Sequence, residues 1–145
     1  MTSVTGHVFT SEFPFGYQNW KNTDPYDLFD AEIHKIESDK KSRMVQHLGN
    51  EAKNVDYLIL WLDCDREGEN ICFEVIQCCE PFMHKGEKDN ILRAKFSSIT
   101  PFDLKKAFAE LKDGPDYNQS IAVDARQEID LKIGVALSRF QTLYF

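Results

Sequence analysis

The sequence predicts an α/β domain with a central, mostly parallel sheet flanked by helices, closed by one long helix. Three observations carry that prediction. Residues 57–62, Tyr-Leu-Ile-Leu-Trp-Leu, form a continuous apolar run of strand length, as in strands buried on both faces of a parallel sheet. Ile71, Cys72, Val75, Ile76 and Cys79 then recur at helical spacing. In residues 91–96, Leu92, Ala94 and Phe96 alternate with Ile91, Arg93 and Lys95, the pattern of a half-buried strand.

The remaining elements follow in order. Residues 1–10 read as a short strand with Gly6-His7 in a turn. Residues 11–30 are aromatic-rich and punctuated by Pro14, Gly16 and Asp24-Pro25, where Asp24 is placed to cap a short helix with Pro25 at its first position. These aromatics read as a packed cover rather than a base-stacking platform, since few basic residues interleave them. A helix is expected over 38–52, with Met44, Val45, Leu48 and Ala52 on one face. The helix of 70–80 ends at Pro81, and a polar loop spans 84–90. Thr100, Pro101 and Asp103 start the next helix, with Leu104, Phe108 and Leu111 as its buried face and Gly114-Pro115 as its stop. The last helix runs over 120–140, with Ile121, Ala125, Ile129, Ile133, Leu137 and Phe140 in a row at i, i+4 spacing. Gly134 within it suggests close packing against another element.

Composition narrows the function classes. A chain of 145 residues fits one domain, or one domain and a tail. The longest apolar run is six residues, far short of the ~20 a membrane helix needs, and no secretory signal is visible. The net charge of −7 argues against nucleic-acid binding through bulk charge. Acids outnumber bases up to residue 90 and roughly balance them afterwards, so an anion site is expected in the last third. Cys64, Cys72, Cys78 and Cys79 offer no C-x-x-C pair for structural zinc. They read as reduced thiols, with Cys72 and Cys79 as small core residues.

The chemistry-bearing segment is Asp63-Cys64-Asp65-Arg66-Glu67-Gly68-Glu69, placed where the apolar strand ends and the helix pattern begins. Ligands bind at that carboxyl end in open α/β sheets. Alternate residues of an extended turn point the same way, so Asp63, Asp65 and Glu67 are expected to converge. Converging carboxylates repel unless a cation joins them, and oxygen donors suit magnesium or manganese. Acids at a helix start also offset the macrodipole as a plain solvated cap. A cap, however, does not need three alternating acids.

The segment 62–71 resembles the metal-binding motif of toprim domains, and more narrowly that of type IA DNA topoisomerases of the topoisomerase III class. Residues 2–8 resemble the family's strand-plus-Gly-His segment, 93–100 its Arg-x-x-Phe-x-x-Ile-Thr segment, and 123–134 with 139–142 the helix leading toward the gate. Trp61 to Asp65 and the following Asn-Ile-Cys-Phe-Glu74 look most like the eukaryotic beta type. The resemblance implies a Rossmann-like toprim domain over 1–112 and the start of the helical topoisomerase core over 113–145. It implies Asp63, Asp65 and Glu67 as an acidic triad for Mg2+, with Arg66 beside the scissile phosphate or ion-paired to the triad, and His7 at the edge of the site. Arg126, Gln127 and Asp130 would lie near a single-strand groove. Arg93 and Lys95, on one strand face by alternation, are candidates to meet phosphate or else form an ordinary solvated face. Arg126 and Asp130 are equally placed for an ordinary helix ion pair, and Lys132 stands where the family tends to have arginine. Family partners are single-stranded DNA, RNA for the beta type, and a tudor-domain protein. The implied location is nuclear, and no membrane is involved.

Two departures from the family pattern matter. A strand ending in glutamate, with a nearby lysine, precedes the segment that matches Met1 and is not among these residues. The family's nucleophilic tyrosine sits in a Tyr-Pro-Arg-Thr context that does not occur here, and Tyr144 is not that residue. The sequence therefore reads as most of a toprim domain cut at both ends, expected to be inactive alone. The rival readings are a non-catalytic metal- or nucleic-acid-binding piece, or a toprim nuclease or primase. The matches at 93–100 and 123–142 argue against the last two.

Overall fold

The computed structural model describes residues 1–20, 22–84 and 90–145. Most of the polar loop expected over 84–90 lies outside them. The chain packs as two compact units: residues 1–8 with 37–123, and residues 9–36 with 124–145. Residues 113–123 stay with the first unit because Asp116 N–H donates to buried Glu69 at 2.7 Å, and Asn70 Nδ2 donates to the Ser120 carbonyl at 3.0 Å.

In the second unit, β1 (Phe9–Glu12) pairs with β2 (His34–Glu37). Its core gathers Phe13, Leu28, Ala31 and Ala136, flanked by Tyr17, Ile33, Leu131 and Val135. The aromatic-rich segment thus supplies core through Phe13 and Tyr17. It leaves Phe15, Trp20, Tyr26 and Phe29 exposed. Asp24 caps the 3-10 turn Pro25–Leu28 by accepting from Tyr26 N–H at 2.9 Å, as its pairing with proline predicts.

The first unit carries the βαβ crossover. Here β3 (Leu58–Leu60) runs parallel to β4 (Ile91–Arg93), with Leu58 opposite Ile91 and Leu60 opposite Arg93. A short antiparallel strand, β5 (Lys112–Asp113), closes the other edge of β4. The apolar run of 57–62 is buried on one face only. Leu60 is core, while Tyr57, Ile59 and Trp61 are exposed. The Trp61 ring there stacks on Phe108 with centroids 6.2 Å apart.

The first helix, α1 (Met44–Glu51), is shorter than expected because Arg43 takes a left-handed conformation at φ 50° and ends the preceding turn. Leu48 and Ala52 are its buried contribution, as the periodicity predicts. The crossover helix α2 (Arg66–Cys79) starts four residues before the first expected residue, Asn70, because Asp65 caps it. Next, α3 (Pro101–Ala109) has the predicted Thr100 cap and Pro101 start. It buries Ala107 rather than Phe108 and stops before β5, after which Gly114 turns the chain at φ 64°.

The final helix, α4 (Tyr117–Tyr144), is longer than predicted, and its expected apolar row is exposed: Ile121, Ile129, Ile133, Leu137 and Phe140 face outward. At ~3.6 residues per turn, each i+4 step overshoots a full turn by about 40°. A strict i+4 row therefore winds around a helix instead of marking one face. The buried positions are Ser120 and Val123 in one unit, and Ala136 and Arg139 in the other. Among the described residues, no helix is long and apolar enough to cross a membrane.

Two predictions follow from this packing. Burial pushes the Cys72 thiol up to about 12 and the Cys78 thiol up to about 11, and also raises Cys79, whereas Cys64 is exposed. A thiol reagent at pH 8 will label one cysteine rapidly, and the other three only after denaturation. At the start of α3, the Ser98 and Thr100 hydroxyls hold the Asp103 carboxyl below its ordinary value. A depressed folded value adds stability above the unfolded pKa, and that stability is lost as pH falls through the folded one. In urea melts, Asp103→Asn will flatten the acid limb below about pH 4, and Thr100→Ala will cost about 1 kcal/mol.

Candidate metal centre

The acid bend between β3 and α2 is held from beneath by one buried cation. Arg93 is fully buried and points under the bend. Its Nε donates to Glu69 Oε1 at 3.1 Å. Nη1 donates to the carbonyls of Leu62 at 2.9 Å and Ala94 at 2.8 Å, and Nη2 to the Asp63 carbonyl at 2.8 Å. Such a guanidinium is tolerable in the interior only because a carboxylate and several carbonyls compensate its lost hydration. The expectation that Arg93 faces nucleic acid is corrected accordingly, since its fork is turned into the protein. The alternation 91–96 correctly identified a strand, but β4 ends at Arg93 and places that side chain on the covered face.

Glu69 is the partner that the sequence reading left without a role. It too is buried, accepting from Arg93 and the Asp116 N–H, with Lys95 Nζ 3.5 Å away. Gly68 completes the bend. A Cβ at that position would lie 2.0 Å from the Asp63 carbonyl oxygen, so the close return of the chain excludes every other residue. Asp65 Oδ1 accepts from Gly68 N–H at 2.7 Å, a helix cap of ordinary geometry.

Asp63, Asp65 and Arg66 are exposed, and Glu67 is half-buried. Glu67 is drawn to His7: His7 Nε2 lies 3.0 Å from Glu67 Oε2, and His7 Nδ1 lies 3.2 Å from Glu74 Oε1. Glu74 is buried and also accepts from the Val8 N–H at 2.7 Å. The structure thus brings the His7 ring against Glu67 on the first turn of α2. The second carboxylate that fixes it, Glu74, was visible in the sequence only as one more acid on an amphipathic helix.

The three acids do not converge as expected. Among the described residues, no three His, Cys, Asp or Glu side chains are grouped so as to hold a metal ion. The physical reason is the early helix start. Period-two alternation holds in an extended turn, but the helix begins at Arg66, so Glu67 follows helical geometry and meets His7. The donor set itself remains chemically suited to a hard divalent ion. Magnesium commonly takes one or two protein carboxylates and completes its shell with water and phosphate, and Asp63 and Asp65 supply two exposed carboxylates on a rigid bend.

Arg126 and Asp130 lie in the other unit, on exposed α4, and face each other at 3.9 Å as an i, i+4 pair. Gln127 is half-buried beside them in sequence.

A strand ending in an acid-rich bend, a capped crossover helix and a parallel return strand form the frame of a toprim-type domain. Comparison with known proteins agrees, for the Toprim domain profile matches residues 1–99, and the chain belongs to that family. Over its full length it is 57% identical to DNA topoisomerase 3-beta of Arabidopsis thaliana and 51% identical to DNA topoisomerase 3-beta-1 of Homo sapiens. Over 99% of its length it is 44% identical to human DNA topoisomerase 3-alpha. The chain spans only 16%, 17% and 14% of those three proteins.

Removing the buried cation strands Glu69. Arg93→Met will destabilise the domain by about 3–5 kcal/mol in urea unfolding, and Arg93→Lys will recover only part of that because it lacks the fork. Gly68→Ala will cost more than Thr100→Ala, since the atom it meets is backbone.

Proposed function

We propose that this domain is the metal-holding part of a type IA topoisomerase of the topoisomerase III class, acting on single-stranded DNA with RNA as a second substrate. The observation that carries the reading is the pair of exposed aspartates on a bend clamped by Arg93 at the carboxyl end of β3. Asp63 and Asp65 would hold magnesium. That ion, when bound, would orient phosphate oxygens and stabilise charge that develops during strand cleavage and resealing. Arg66, exposed on the first turn of α2, is placed to meet a phosphate. His7, held by Glu74, fixes the position of Glu67 at the edge of the site. Arg126, Gln127 and Asp130 belong to the strand-binding part of the proposal, as do a tudor-domain partner and a nuclear location. Identity to proteins named DNA topoisomerase 3 supports the topoisomerase reading and a DNA partner; the tudor-domain partner, the location and the residue roles rest on the family resemblance alone.

Magnesium titration by calorimetry tests the site directly. The chain will bind the ion, and the double variant Asp63→Ala with Asp65→Ala will lose at least tenfold in affinity, about 1.4 kcal/mol. Equal binding by the double variant would place the ion elsewhere. The 145 residues contain no Tyr-Pro-Arg-Thr string, so the purified chain with magnesium will leave a supercoiled plasmid unrelaxed.

A further inference from the structure

The second unit carries an open surface hollow of about 400 Å3 that the metal site does not use. Trp20, Tyr144 and Leu143 form its apolar walls, and Asn22, Thr23 and Asp24 supply amide, hydroxyl and carboxylate groups. Two rings beside a short polar edge match what a nucleobase offers: two π-faces and a rim of donors and acceptors. The volume is within the range of small-molecule sites.

The walls are held before any ligand arrives. Arg139 is 95% buried (5% exposed), with its Cζ 5.3 Å from the Trp20 ring centroid. Its Nη1 donates to the Tyr17 carbonyl at 2.6 Å. Among the described residues its Nε has no hydrogen-bond partner, which is costly for a buried guanidinium and marks an unsatisfied donor behind the Trp20 wall. Tyr144 is fixed against Phe140, with ring centroids 4.9 Å apart. Asp24 is held at the rim by its cap to Tyr26.

We propose that this hollow receives one unstacked base of a single nucleic-acid strand, with Trp20 and Tyr144 stacking on it and Asn22, Thr23 and Asp24 meeting its edge. The proposal rests on the reading of the domain as a partner of single strands, but uses none of the metal-site residues. Arg139 acts as a positioning residue that sets the Trp20 plane. The carboxylate at the rim favours bases that present amine or imide donors and makes the hollow a poor phosphate site.

The test uses Trp20 fluorescence in the whole chain carrying Trp61→Phe, which keeps a ring on Phe108 and removes the other tryptophan. Titrations in EDTA use a mixed-sequence DNA strand, the same sequence in RNA, and an abasic DNA strand with identical phosphates. The base-bearing strands will quench Trp20, with the abasic strand binding roughly tenfold more weakly. Quenching by RNA alone or by DNA alone supports the proposal and identifies the source of the base. Tyr144→Ala, an exposed position, will weaken the quenching titration about tenfold. Asp63→Ala with Asp65→Ala will leave it unchanged. Equal quenching by the abasic strand, no quenching at all, or no effect of Tyr144→Ala would overturn the proposal. Magnesium titration without nucleic acid reads the metal site separately, so either reading can fail alone.

Discussion

The acid bend stands on a buried ion pair. The exposed carboxylates of Asp63 and Asp65 repel each other and the carbonyls around them, and a flexible loop would relieve that by opening. Arg93 prevents it by gathering the Leu62 and Asp63 carbonyls from below, while Glu69 neutralises its charge. The same Glu69 anchors Asp116, where Oδ1 accepts from the Asn118 and Gln119 N–H groups at the start of α4. One guanidinium–carboxylate pair therefore ties together β3, β4, α2 and the start of the long helix. Burying such a pair is a poor way to gain stability in itself. Its value here is geometric, because it fixes where the aspartates stand.

The third acid is governed by a different partner. His7 bridges Glu67 to buried Glu74, so the amino-terminal segment is stitched to α2 by a carboxylate–imidazole–carboxylate row. The Val8 N–H adds a further bond to Glu74. In this chain the row ties the Gly6-His7 segment to the acidic bend. Gly6, at φ 103°, lets the chain turn so that the imidazole arrives between two acids.

Much of the architecture was legible in the residues. The βαβ order, the Thr100 cap and the Asp24-Pro25 turn rest on local chemistry, and local chemistry reads directly from sequence. The divergences lie in tertiary packing and at element boundaries. The row Ile121, Ile129, Ile133 and Leu137 has helical spacing, but spacing cannot say whether anything lies opposite it. The run 57–62 is apolar throughout, yet only Leu60 meets the core. Asp63 and Asp65 stand out by pattern alone, as alternating acids after an apolar run. The failed convergence of Glu67 turned on where α2 begins, and the burial of Arg93 turned on the end of a strand; both are boundaries that periodicity locates poorly.

The inward carbonyls have a consequence for ion choice. Calcium seeks roughly six to eight oxygens and often recruits backbone carbonyls, whereas magnesium keeps much of its water. At this bend the Leu62 and Asp63 carbonyls already accept from Arg93, which holds them turned away from the exposed aspartates. An ion arriving from solvent meets side-chain oxygens and little else. If the proposed ion binds at this bend, the clamp would discriminate by coordination number: a large cation would be starved of ligands, and a small hydrated one would not.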